Sequence, residues 1–338
     1  MLWKIFCECD IICSLAKFAN NLLIFRQKTQ ENPHFSQSVA RDAANRQREV
    51  RMKNKLSIIS AILVFVLSAI CLFACAQKDD APVAVDYKQD NSFAVNTVES
   101  DSALVFEPIA DLVYGENGKS YKKVAYRYGV VFYVGTAIEP KYYTYLGEAL
   151  AKQGYLVVMP KVFLNMAYTY YADTEKAFSD YHDVQFFIAG HSQGGGAAIR
   201  RASENAQNVS GAMLFAPLGY RHKLLDENGN PVKDEETGVE KYVVDNLKDV
   251  DVPTLLIEAA QDRVLNDSMK EDAKSRLKDG YTHKVISPGA HMSFSTMDKD
   301  ETLQFFNNDG NGITEDEKNA QRALTIQYSL EFMKNLTK

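Results

Sequence analysis

The chain has 338 residues, with 38 Lys and Arg against 44 Asp and Glu, a formal net charge of −6. That acidic balance argues against nucleic acid or another polyanionic surface as a partner. Its five cysteines, Cys7, Cys9, Cys13, Cys71 and Cys75, all lie at the N-terminal end with no histidine at zinc-ligand spacing, which excludes a cysteine metal site.

Residues 1–51 are polar and precede a complete export signal. Gln47-Arg48-Glu49-Val50-Arg51, just ahead of Met52, can be encoded by a bacterial ribosome-binding sequence read in frame. The expectation is that translation begins at Met52 and that 1–51 is a non-native upstream extension or disordered. Residues 52–74 read as a signal peptide, with Lys53 and Lys55 ahead of the apolar run from Leu56 to Ile70. Leu72-Phe73-Ala74-Cys75 resembles a bacterial lipobox, which implies a diacylated Cys75. The other reading is an uncleaved span, because the run approaches the ~18–20 residues a membrane helix needs. Both readings put the rest of the chain outside the cytoplasm, on a bacterial membrane. A chain starting at Cys75 keeps 28 basic and 39 acidic residues, a net −11, and has no second thiol for an intramolecular disulfide. Its membrane link is therefore lipid and not electrostatic. Residues 75–102, rich in Asp, Ala, Val, Asn and Ser without periodicity, read as a tether.

Residues 103–338 carry the ordered pattern. Edge strands are expected at 103–106, 112–114 and within 121–128. Strands then alternate with helices: 129–134, helix 141–153, 155–159, 184–189, helix 195–206, 210–215, 253–258, helix 267–278 and 282–287. This is the rhythm of a mostly parallel, doubly wound α/β sheet flanked by helices. Thr314 and Glu317 form a capping box that starts a last helix. Residues 225–247 read as a charged, solvated hairpin, with a short lid as the sharper alternative. Asn307 to Gly312 has the flavour of a calcium loop, but Lys318 stands where the bidentate glutamate belongs, so a turn is expected.

The chemistry centres on Gly190-His191-Ser192-Gln193-Gly194, which follows the apolar run from Val184 to Ala189 and opens a helix. Serine at the middle of G-x-S-x-G, between strand and helix, is the pattern of a nucleophile elbow. An acid and then a histidine should follow in chain order. Asp262 lies in the loop after the strand ending at Glu258, and His291 in the loop after the strand ending at Ile286. The chemistry requires His291 to take the Ser192 proton and Asp262 to fix its tautomer. Asp267 is the rival acid, but it falls where a helix N-cap is expected. His283 reads as a half-exposed strand residue and His191 as packing beneath the elbow. His182 and His222 precede the acid. The N–H groups of Gln193 and Thr136, the latter after strand 129–134, are the candidate oxyanion donors.

Taken together these residues resemble the α/β-hydrolase superfamily from about Val130 to Leu336. The runs Val131-Phe132-Tyr133-Val134-Gly135, Gly154 to Val158 and Met159 to Ala167, with Asp309-Gly310 and Ile313-Thr314, are similar to a bacterial dienelactone-hydrolase-like and carboxylesterase-like subgroup. Val134 departs from the subgroup's usual proline. The resemblance implies nucleophile, acid and base roles for Ser192, Asp262 and His291, a small-molecule ester substrate, and no metal or organic cofactor. Aromatic residues in Phe163 to Tyr171 and at Tyr142, Tyr143 and Tyr145 are candidates for lining an apolar pocket or simply for packing. The other readings are a non-catalytic surface-binding lipoprotein on the same fold, or an amide or thioester hydrolase.

Overall fold

The apolar runs that lack one-faced alternation become the central strands of one sheet covered on both faces, as buried parallel strands must be. The computed structural model describes residues 82–115, 118–297, 306 and 308–337. The described residues belong to a compact unit, Asp80–Lys338. The expected signal peptide at 52–74, the candidate lipidation residue Cys75 and residues 1–51 lie outside them. In chain order the strands are β1 (Val83–Ala84), β2 (Ala94–Glu99), β3 (Ala103–Gly115), β4 (Gly118–Ala125), β5 (Tyr128–Tyr133), β6 (Leu156–Pro160), β7 (Gln185–His191), β8 (Val209–Phe215), β9 (Arg221–Lys223), β10 (Tyr242–Val244), β11 (Thr254–Ala259) and β12 (Thr282–Ile286). The α-helices are α1 (Thr144–Lys152), α2 (Gln193–Glu204), α3 (Asp267–Ser275) and α4 (Glu315–Leu336).

Among the described residues ten strands form the main sheet, in the order β1-β4-β3-β6-β5-β7-β8-β11-β12 with β2 on β3. From β6 to β12 every pairing is parallel, and antiparallel β3 closes that array. Strand periodicity sends alternate side chains to opposite faces. Phe132 accordingly joins the core with Leu146 and Leu150 of α1 and Met333 of α4, while Val131 and Tyr133 join Ala198 and Ile199 of α2. Two cores on one sheet put the C-terminal ends of β5, β7, β11 and β12 along a common edge, which is where open α/β sheets place ligands.

Three expectations are corrected. The segment read as a tether contains β1 and β2, and β2 pairs with β3 over Ala94 to Glu99. The short alternating stretch needed β3 beside it to become legible. The break expected between 103–106 and 112–114 is absent, and β3 runs through Pro108. On one side of β3, pairing with β6 ends at Phe106 and pairing with β4 begins at Ile109, so on that side the proline's missing N–H falls in a gap. Finally, Asn266 and not Asp267 caps α3, its side chain accepting from Met269 N–H at 2.9 Å. Asp267 is the first helical residue.

Residues 221–244 form the expected hairpin, with β9 on β10 and two bridges, Leu225 with Pro231 and Lys233 with Glu240, beyond it. The strand β10 is exposed throughout. Its base is anchored at buried Asp245, which accepts from Tyr168 Oη at 2.6 Å and pairs with His222 Nδ1 at 2.6 Å. No helix among the described residues is long and apolar enough to cross a membrane.

Candidate active site

Ser192 sits between β7 and α2 with φ 54° and ψ −120°, a conformation that side chains rarely adopt. The flanking glycines are required by contact and not by dihedral freedom. A Cβ on Gly190 would stand 2.2 Å from Gly194 O, and one on Gly194 would stand 2.1 Å from Tyr133 O. Ser192 N–H donates to Phe215 O at 3.0 Å, and Ser192 O accepts from Gly195 and Leu218 N–H at 2.9 and 3.0 Å. The elbow is thus fixed to β8 and to the loop after it.

Strain gathers at this edge. The five described non-glycine residues with positive φ are Ala137, Leu164, Asn165, Ser192 and Ala216, all in segments leaving β5, β6, β7 and β8. Each conformation costs on the order of 1 kcal/mol or more, and such residues cluster at functional sites. Two of these segments touch, since Ala137 N–H donates to Asn165 O at 3.3 Å.

Asp262 follows β11 and His291 follows β12, and the two side chains meet. His291 Nδ1 lies 2.8 Å from Asp262 Oδ2, with side-chain exposures of 0% and 1%. The other carboxylate oxygen accepts from Val264 and Leu265 N–H at 2.9 and 2.8 Å. Burial pushes the Asp262 pKa up, but the His291 hydrogen bond and charge and these two N–H groups outweigh it and hold the carboxyl below its ordinary value. An ionised carboxylate only accepts, so Nδ1 carries a proton toward Asp262, and in the neutral ring Nε2 keeps its lone pair. That Nε2 is buried and has no hydrogen-bond partner among the described residues, Ser192 Oγ included. The structure therefore brings Asp262 and His291 together and does not hydrogen-bond His291 to Ser192. A buried acceptor left in this state costs about 1–3 kcal/mol, which an incoming hydroxyl donor would relieve.

The candidate oxyanion donors come from the loop after β5 and the first turn of α2. Gln193 is the first residue of α2, so its N–H has no intrahelical acceptor. Thr136 lies in the turn following Gly135 and is half-buried.

Sequence reasoning missed how that loop is held. Gly135 N–H donates to Tyr143 Oη at 3.2 Å, and Tyr143 Oη lies 2.8 Å from His191 Nδ1. The hydroxyl has one proton, and of these two partners only His191 Nδ1 can accept it, which leaves the His191 proton on Nε2. The bridge ties the β5 loop to the residue preceding Ser192. Burial, and then the charge of His291 at a ring distance of 4.6 Å, push the His191 pKa well below its ordinary value. The imidazole next to the candidate base is thus kept neutral. The available signal was a tyrosine read as pocket lining or packing and a histidine read as packing beneath the elbow.

The aromatic residues considered for a pocket divide. Tyr143 is fully buried, Tyr145 donates to Phe294 O at 2.9 Å, and Phe163 is 64% exposed. His283 is a half-exposed residue of β12 paired with Glu258 at 2.7 Å. The segment at 308–312 is a turn. Among the described residues no group of His, Cys, Asp and Glu could hold a metal ion.

Residues 129–233 match the model of the Alpha/beta hydrolase family, a segment running from β5 through the elbow into the hairpin. Comparison with curated protein sequences gave no match. Similar solved structures include a predicted CIB-like hydrolase from Thermoplasma acidophilum, 14% identical, covering 72% of this chain and 99% of its own, with TM-score 0.41. A soluble variant of monoglyceride lipase from Saccharomyces cerevisiae is 15% identical, with 76% and 100% coverage and TM-score 0.41. A metagenome-derived lipolytic enzyme is 18% identical, with 50% and 86% coverage and TM-score 0.37. The described chain has the α/β-hydrolase fold, and the family match supports hydrolase activity.

Proposed function

We propose, from the α/β-hydrolase fold, that this protein is a serine hydrolase of the carboxylesterase type. The observation that carries the reading is the buried Asp262–His291 pair, 2.8 Å apart, with an unpaired Nε2 on the sheet edge that also carries strained Ser192. In this reading Ser192 Oγ attacks the ester carbonyl and gives its proton to His291 Nε2. The carbonyl oxygen, now negative, is bound by the N–H groups of Thr136 and Gln193. Collapse of the tetrahedral species breaks the ester bond, and His291 returns the proton to the leaving alcohol. Water then attacks the acyl-enzyme through the same base and releases the carboxylic acid. Asp262 stays ionised and supports the imidazolium. The acyl-enzyme route calls on these side chains, the two backbone N–H groups and water. The protein works outside the cytoplasm, held to a bacterial membrane by lipid on Cys75.

The decisive experiment is labelling of the folded protein by a fluorophosphonate probe, followed by turnover of p-nitrophenyl esters of increasing acyl length. Ser192→Ala should abolish labelling, and His291→Ala should slow it by at least about 10³-fold. Folded wild-type protein that does not label would defeat the enzyme reading. The missing Ser192–His291 hydrogen bond favours a second reading, a surface-binding protein that keeps the fold without turnover, and the same labelling decides between them. Catalytic hydrogen bonds of this kind are often long before substrate binds.

A further inference from the structure

The pair Asp262 and His291 is bracketed on both sides. On the upstream side the sheet continues past its strands, with Ala260 N–H on Ile286 O at 2.9 Å and Gln261 N–H on Gly289 O at 2.8 Å. On the downstream side the two loops have no direct ladder, and a third element spans them. Asp309 Oδ1 accepts from Arg263 N–H at 3.0 Å, and Asp309 Oδ2 accepts from Met292 N–H at 2.7 Å. Arg263 is the residue after Asp262, and Met292 is the residue after His291. One carboxylate therefore holds the backbone next to each member of the pair.

We infer that Asp309 is a positioning residue that sets the register of the Asp262–His291 pair. The proposal rests on the serine-hydrolase reading and concerns the same site. Asp262 cannot move within its own loop, because Val264 and Leu265 N–H hold its Oδ1. The distance from Asp262 to His291 then depends on how the two loops sit against each other. Gln261–Gly289 fixes one side of the gap and Asp309 fixes the other. Asp309 is itself set by its turn: its N–H donates to Phe306 O at 2.9 Å, Gly310 turns the chain at φ 70°, and Arg263 Nη1 donates to Asn308 O at 3.3 Å. A carboxylate suits the task because both its oxygens accept, whereas an amide offers one acceptor and turns an NH₂ toward the other N–H. The same turn is the stretch whose composition suggests a calcium loop, and its aspartate binds backbone N–H groups.

The test is Asp309→Asn, measured three ways on the intact protein. Fluorophosphonate labelling should slow by about 10- to 100-fold, because sub-ångström misplacement of reacting groups has effects of that size. With p-nitrophenyl acetate the loss should fall on kcat while KM changes less than about twofold. The low-field proton resonance of His291 Nδ1–H, identified by its absence in His291→Gln, should shift or broaden. An Asp309→Asn protein that is folded, labels at the wild-type rate and keeps the resonance overturns the proposal. Should that variant unfold, Asp309→Ser keeps one acceptor on a short side chain and gives the reading; unfolding of both would show a purely structural carboxylate and also overturn it. If wild-type protein fails to label, the esterase reading falls, and the resonance alone decides the positioning role.

Discussion

His191 stands next to the candidate nucleophile yet takes no proton in the proposed cycle, and its environment explains why. Burial, followed by the charge of His291, lowers its pKa, and Tyr143 occupies its Nδ1. The consequence for stability has a definite sign. In the unfolded chain a histidine titrates near pH 6.5. Below that pH the unfolded chain binds a proton that native His191 refuses, so stability falls as pH drops from about 6.5 toward the lowered native value. The slope approaches about 1.4 kcal/mol per pH unit. Asp262 acts in another window, since its pKa is lowered from a carboxylate value: its contribution is complete above about pH 4 and is lost only as pH falls through the native pKa. Urea midpoints of wild type and His191→Asn at pH 7, 6 and 5 separate the two. The variant should be less stable at pH 7 and lose less on acidification; parallel curves would refute the account. Ser192, Asp262 and His291 were legible as candidate residues at strand ends, because the proposed chemistry demands them in that order. Tyr143 and Asp309 were not, since their roles arise from contacts between loops far apart in sequence.

The helix α4 shows why whole elements differ in legibility. Its start was readable because Thr314 and Glu317 form a local capping box, with Thr314 Oγ1 accepting from Glu317 N–H at 3.3 Å. Its buried face was not, because Gln321, Thr325 and Ser329, spaced four apart, are fully buried polar residues. Thr325 and Ser329 return their hydroxyls to the carbonyls of Gln321 and Thr325 at 2.8 and 2.7 Å, which satisfies them within the helix. Gln321 looks outward from that stripe. It accepts from Ala290 N–H and donates to Ala290 O, both at 2.9 Å, and Arg322 donates twice to Ser295 O. The helix thereby grips the loop that carries His291. Gln321→Leu leaves a buried N–H and a buried C=O without partners, at about 1–3 kcal/mol each. Unfolding in urea should show a loss of about 3 kcal/mol, with slower fluorophosphonate labelling of the protein that remains folded. A variant as stable as wild type would mean that the loop is held elsewhere. Strand–helix alternation, by contrast, was legible throughout 128–286, because each central strand is a short apolar run between turn residues.

At the scale of the described molecule, the segment before β3 belongs to the folded body. Tyr87 Oη accepts from Arg127 and Tyr128 N–H at 2.8 and 3.1 Å and donates to Gly154 O at 3.1 Å, tying the starts of β5 and β6 together. Its ring packs against Tyr128 and Tyr155 at 5.0 and 4.9 Å. Gln153 exchanges hydrogen bonds with the Asn91 backbone at 3.1 and 2.7 Å, Lys334 pairs with Asp90, and β2 then covers an edge of β3. None of this was readable from composition, because a polar, acidic stretch can be tether or strand, and only the long-range partners decide. A chain beginning at Ser100 would lose the Tyr87 anchor and the β2 ladder together. Loss of a large buried aromatic alone costs about 3–5 kcal/mol, and an uncovered β3 would present unpaired backbone to other chains. Against a chain beginning at Pro82, the shorter one should unfold at least about 3 kcal/mol more easily in urea and aggregate on concentration. Tyr87→Phe is the finer probe, since it keeps the ring and removes three hydrogen bonds made by a single oxygen. It should cost about 1–3 kcal/mol and leave labelling at the opposite edge of the sheet unchanged. Equal stability of the long and short chains would return residues 82–99 to the role of a tether.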